Sequence, residues 1–140
     1  MNHSSIKQFI EAGNLTIGIE FGSTRIKTVA IDDNCKTLAT GTFGWENTYQ
    51  DGYWTYSMND AWIGLQKSYS EMTKVIKEQY GTTVKKIKSL GISGMMHGYL
   101  VFDQKEDLLV PFRTWRNNNA NHAAQILREA FQVNIPERWS

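Results

Sequence analysis

The 140 residues are 41% hydrophobic and 21% charged with a formal net charge of +1, which suits one globular domain and excludes a disordered chain. Near-neutral charge gives no electrostatic case for nucleic acid or an anionic membrane surface as a partner. The single cysteine, Cys35, excludes an intramolecular disulfide and a cysteine-rich zinc site, and no apolar run reaches the length of a membrane span.

The opening "MNHSSIKQFIEAGN" lacks the charged-then-apolar layout of a secretory signal, so the cytoplasm is the expected compartment. Ile6, Phe9 and Ile10 have the spacing of a short amphipathic helix. Residues 15–20 read as a strand with alternating isoleucines at Ile17 and Ile19, and Gly22 and Ser23 as its turn. A second strand is expected over 26–31, a turn over the "DDNC" cluster at 32–35, and a third strand over 37–43. Three strands joined by short turns make an antiparallel meander.

A looser aromatic segment, "WENTYQDGYWTYS", follows. Ser57 with Asp60 three residues on is a capping-box variant that opens a helix. Trp62, Leu65, Tyr69, Met72 and Ile76 recur at helical spacing, and Gly81 is the natural C-cap. Residues 87–93 read as a strand, and a strand reached through a helix is most easily parallel to an earlier neighbour. "GYLVFDQKEDLLV" reads as two short strands around a polar turn at 103–107. A second helix carries Ala123, Leu127 and Phe131 on one stripe, with an asparagine at 117–119 as its cap. The order is not the strict alternation of a doubly wound fold. A meander feeding a helix and then a parallel strand is the ribonuclease-H-like α/β arrangement.

Three stretches could carry chemistry. Glu20 ends an apolar strand and runs into Gly22-Ser23-Thr24, with Lys27 on the next strand. The backbone N–H groups and hydroxyls of such a turn can donate to phosphate oxygens, and a carboxylate beside them can hold Mg²⁺ through water. An ordinary hairpin with a polar turn fits the spacing slightly better, and the Walker A pattern is missing. In "SLGISGMMHGYL", Gly94 and Gly98 bracket Met95, Met96 and His97 at a strand end, where open α/β sheets place ligands. His97 could meet a substrate hydroxyl and Met96 an apolar ligand face; equally, the methionines could fill core gaps and His97 bond a backbone carbonyl. In "PFRTWRNNNANH", Trp115 and the asparagines offer a flat apolar face and directional hydrogen bonds to a sugar, while one asparagine suits helix capping. His3 and His122 have no metal-ligand spacing.

Together these places resemble the FGGY carbohydrate kinases, and the xylulokinase-type members most. "IGIEFGSTRIK" is similar to that family's Ile-Gly-Ile-Asp-x-Gly-Thr-Ser-x-x-Lys opening, "LGISGMMHG" to its Gly-Ile-Ser/Ala-Gly-Gln-Met-His-Gly, and "PFRTWRNN" to its Pro-x-x-x-Trp-x-Asp block. "DGYWTYSMNDAW" is similar, with weaker identity, to its Trp-x-Glu-x-Asp-Pro-x-x-Trp region, and the motifs span about residues 15–121 in the family's order.

The resemblance implies an actin-like ATPase fold, in which two ribonuclease-H-like domains flank a cleft where ATP, Mg²⁺ and a sugar meet. It divides the chain into an extension over 1–14 and the N-terminal part of the first kinase domain over 15–140. By position it assigns Gly22, Ser23, Thr24 and Lys27 to the nucleotide phosphates, and Glu20 to the acid near metal and phosphates. Met96 and His97 go to the sugar-binding pair, and Trp115 and Asn117 to the sugar-side wall. Met-His rather than Arg-Glu at the pair argues for a ketose over glycerol. The partners it implies are a small sugar, the rest of a kinase chain and, as an open question, a second copy in a homodimer.

The family has Asp at Glu20, Gln at Met95 and usually Asp at Asn117. Such kinases are several times longer, with the catalytic base and adenine domain beyond these residues, and the last residues, "NIPERWS", carry an apolar Trp139 without a closing element. A fragment of a larger kinase, inactive alone, is therefore expected. A binding module that keeps the fold without turnover is the alternative. A ribonuclease-H-like nuclease needs clustered carboxylates, of which only Glu20 sits at a strand end.

Overall fold

The computed structural model describes residues 3–131; Trp139 lies outside the described residues. A helix α1 (His3–Glu11) leads into strands β1 (Thr16–Phe21), β2 (Arg25–Ile31) and β3 (Thr37–Gly44). A hairpin of β4 (Thr48–Gln50) and β5 (Tyr53–Thr55) precedes the long helix α2 (Met58–Tyr80), strand β6 (Ser89–Gly94) and helix α3 (Asn121–Phe131). The main sheet has the order β3-β2-β1-β6. The first three strands form the expected antiparallel meander, and β6 returns parallel to β1, with Glu20 beside Ser93 and Phe21 beside Gly94.

The pleat sorts the side chains of β1 onto two faces. Ile17 and Ile19 are buried with Ile26 and Ala30 of β2, Leu38 of β3, and Ile6 and Ile10 of α1. Each such isoleucine stabilises the fold by about 1.5–3 kcal/mol. The opposite face carries Gly18 and Glu20, flanked in register by Val29 and Lys27 of β2 and by Gly91 and Ser93 of β6.

Helix α2 starts as expected, with the Asp60 N–H donating to Ser57 Oγ at 3.2 Å. It ends at Gly81, whose left-handed φ of 63° suits a residue without Cβ and whose N–H closes on the Lys77 carbonyl. Its buried face differs from the expected apolar stripe. Gly64, Ser68, Met72 and Ile76 are buried, whereas Trp62 is 61% and Tyr69 36% exposed. The reason is close approach to the sheet. A Cβ on Gly41 of β3 would run into the Ser68 carbonyl and the Met72 N–H, and one on Gly64 would meet Ile26 and Phe43 side chains. Small residues face the strands there, and the buried Thr28 and Ser68 hydroxyls bond each other at 2.9 Å.

The segment after β6 also departs from expectation. Its polar turn forms, with Asp103 Oδ1 accepting from the N–H groups of Lys105 and Asp107. Its flanks make isolated bridges, Tyr99 to Arg113 and Phe102 to Leu108, instead of strands. Among the described residues no helix is long and apolar enough to cross a membrane.

Candidate functional site

Because β1 and β6 are parallel neighbours, their carboxyl ends lie side by side. The Gly22–Thr24 turn and the 95–98 turn therefore leave the sheet from the same edge. The first turn is held by its carbonyls. Trp45 Nε1 donates to the Gly22 carbonyl at 2.7 Å, the Tyr56 hydroxyl to that of Ser23 at 2.7 Å, and the Trp45 N–H to that of Thr24 at 3.2 Å. Trp45 and Tyr56 stack at 4.4 Å between ring centroids, and Phe112 packs against Tyr56. The aromatic segment thus braces the turn, while Ser23 and Thr24 remain exposed.

Glu20 stands on the open face of the sheet. Its carboxylate lies 3.5 Å from Lys27 Nζ, its cross-strand partner, and its side chain is 53% exposed. A shallow groove of about 450 Å³ runs along this face, floored by Gly18 and Gly91 and flanked by Glu20, Lys27 and Ser93. Nothing lies within 4 Å of where a Cβ would stand on either glycine.

Beyond β6 the three residues bracketed by glycines separate. Met95 is partly buried and packs against the core. Met96 is 86% exposed, and His97 is exposed in the turn. Gly98 allows the Phe112 ring to come close, since a Cβ would stand 2.7 Å from Phe112 Cε2. His97 and Asn117 line a second cleft of about 690 Å³, together with Tyr53, Arg113 and Asn119. Met96 and Trp115, which is 65% exposed, do not line it.

Asn117 does not cap α3, which begins four residues later. Its Oδ1 accepts from the Trp54 N–H at 2.8 Å, and its Nδ2 donates to the carbonyls of Trp54 at 2.7 Å and Thr114 at 3.0 Å. The side-chain amide thereby acts as a short piece of strand paired to β5. Two cations complete the clamp on that hairpin. The Arg113 guanidinium lies 3.2 Å from the Tyr53 ring centroid, and that of Arg116 3.6 Å from Trp54. Arg116 also donates to Asn47 Oδ1 at 2.9 Å.

Sequence reasoning left out the β4–β5 hairpin, and with it Tyr53 and Arg113. The signal was present. Asp51-Gly52 joins two aromatic-rich strands, and both residues have the positive φ, 50° and 85°, of a type I′ turn.

Residues 15–137 match the model of the FGGY family of carbohydrate kinases, N-terminal domain. No curated protein matches the sequence. Among solved structures, a xyloylose kinase from Brucella ovis is similar with a TM-score of 0.69 and 16% identity, over 85% of this chain and 24% of that one. A xylulose kinase and a gluconate kinase, both from Lactobacillus acidophilus, are each similar with a TM-score of 0.66 and 21% identity, over 84% of this chain and 23% of theirs. The chain thus spans about a quarter of their length. At such identities the likeness carries the fold, the α/β arrangement of actin-like ATPases in part. The family match covers most of the sequence, and the chain belongs to the FGGY carbohydrate kinases, as part of their N-terminal domain.

Proposed function

We propose that this chain is the N-terminal portion of an ATP-dependent carbohydrate kinase that phosphorylates a hydroxyl of a ketopentose such as xylulose, or of a related polyol. The observation that carries this reading is the delivery of the Gly22–Thr24 turn and the 95–98 turn to one edge by the parallel β1–β6 pair. Open α/β sheets bind ligands at that edge. The similarity to xylulose kinases supports the choice of sugar.

Ser23, Thr24 and Lys27 would hold phosphate oxygens, through backbone N–H groups, hydroxyls and the ammonium, and Gly22, whose N–H closes the turn on the Arg25 carbonyl at 3.0 Å, would let the phosphates come close. The donor set suits Mg²⁺ that keeps its own waters. Glu20 offers one half-exposed carboxylate, and among the described residues no three His, Cys, Asp or Glu side chains gather into a metal cage. When bound, ATP and Mg²⁺ supply the phosphoryl group and neutralise its charge; the protein's task is positioning. Glu20 would orient the metal through water. His97 would hold a sugar hydroxyl and Asn117 would shape the wall, while Met96 and Trp115, which do not line that cleft, would meet the sugar from outside it.

The resemblance puts the base outside these residues, so activity is proposed for a longer protein, acting in the cytoplasm on ATP and a free sugar. We divide the chain into an extension over 1–14 and kinase domain over 15–140. A panel of ketopentoses, polyols and glycerol tested with ATP on the full-length parent should show turnover with a ketopentose or polyol. This 140-residue chain should show none. Turnover by the short chain, or none by the parent, would sink the reading.

A second reading, a binding module without turnover, draws on Glu20, ion-paired to Lys27, and on Met95, packed into the core. If Glu20 has disabled the site, Glu20→Asp in the parent should raise activity from near zero. Robust activity of the unmodified parent dismisses this second reading.

A further inference from the structure

The cleft of about 690 Å³ between the β4–β5 hairpin and the segment after β6 contains one fixed positive charge, Arg113, and no acidic residue among those lining it. Arg113 is half-buried, and among the described residues its guanidinium meets no carboxylate. Its guanidinium lies over the face of Tyr53, at 3.2 Å from the ring centroid. Stacking uses the face of a guanidinium and leaves the N–H donors at its edge available.

The backbone that carries the group is also held in place. The Arg113 N–H donates to the Tyr99 carbonyl at 3.1 Å, and the Tyr99 N–H to that of Arg113 at 3.0 Å. This bridge ties Arg113 to the stretch that carries His97. Arg116, three residues on, is different: it is exposed, and its guanidinium is spent on Trp54 and Asn47. A partly desolvated arginine that is stacked on a ring and has no counter-ion among the described residues suits a bidentate anion. His97 and Asn119 beside it can serve hydroxyls.

We infer that this cleft takes a sugar acid, a polyhydroxylated carboxylate, with Arg113 as the carboxylate's partner and the residue that sets specificity for it. The inference rests on the sugar-kinase reading and replaces its neutral ketopentose or polyol with a sugar acid as the preferred substrate.

The test compares pentonates and hexonates with neutral ketopentoses of the same length, on the full-length parent. Binding is read by calorimetry and turnover by a coupled ATP assay. A sugar acid should be the better substrate. Arg113→Ala should lower kcat/KM for the acid by about 30-fold or more, and Arg113→Lys by less, because an ammonium keeps the charge but loses the fork. The loss for the acid should exceed that for any neutral sugar, and KM for ATP should stay within about 3-fold of the parent's, since the nucleotide phosphates are not the anion that Arg113 holds. Unchanged melting temperatures for both variants separate recognition from folding, and Arg113→Lys serves if Arg113→Ala melts early.

Turnover of neutral sugars with no binding of any sugar acid overturns this inference and leaves the kinase reading standing. Equal losses for acidic and neutral sugars, or a loss in ATP affinity alone, also overturn it. Binding of a sugar acid through Arg113 without ATP turnover would keep the inference and sink the kinase reading. Neither binding nor turnover would sink both.

Discussion

Asn117 shows how one atom changes what a position can do. The family motif that this stretch resembles usually has Asp at this position, but here Nδ2 donates to two backbone carbonyls, those of Trp54 and Thr114. A carboxylate has no donor to give and would turn a negative oxygen towards both. Asn117→Asp should therefore cost about 1–3 kcal/mol, because two carbonyls lose their partner. Urea denaturation followed by tryptophan fluorescence measures this, and an unchanged midpoint would show that the amide is not the clamp. Glu20 presents the reverse case. Its pair with Lys27 is half exposed, and such pairs contribute at most about 1 kcal/mol. Glu20→Gln should leave the melting temperature nearly unchanged, so that any loss of activity in the parent reports function and not folding. Glu20 and Asn117 both stand out in the sequence as candidate site residues. What Asn117 bonds does not, because Trp54 lies 63 positions away in the chain.

Helix α2 and the meander show the same division among whole elements. Capping chemistry is local, so Ser57, Asp60 and Gly81 announced both ends of α2. Periodicity gave a helix but not its rotation. Trp62 and Tyr69 are larger and more apolar than Gly64 and Ser68, yet the small residues are the buried ones. Backbone-to-backbone approach at Gly41 sets that choice, and nothing local to α2 encodes it. Gly41→Ala should therefore destabilise the domain by about 1–3 kcal/mol or more, since its Cβ meets backbone that cannot rotate away. Gly44→Ala, in the same strand with open space around it, should stay within about 0.5 kcal/mol of the parent. Thermal unfolding of the pair checks the contrast. Equal melting temperatures would refute the close approach.

Across the whole molecule, apolar surface is unevenly covered. Strand β6 is exposed along its length, with Leu90 49% and Ile92 68% exposed. Helix α3 has no buried residue, and Leu127 and Phe131 of its stripe are 55% and 70% exposed. Exposed edge strands and apolar patches on this scale promote association. The 140-residue chain should bind an apolar dye and self-associate at high concentration. Ile92→Lys should reduce both, as seen by light scattering, with little change in melting temperature because the side chain is already in water. Persistent self-association in that variant would place the sticky surface elsewhere.

The sequence by itself determined the meander, the ends of α2, the parallel return of β6 and the residues that mark a kinase, because turn chemistry, capping and alternation act over a few positions. Only the tertiary structure decided which face of α2 is buried, that Met95 turns to the core while Met96 does not, and that Asn117 and Arg113 grip the β4–β5 hairpin. Those outcomes depend on partners tens of residues apart, brought together when the parallel strands align. No local pattern specifies such a meeting, and the packing of the sheet, the helix and the aromatic cluster settles it.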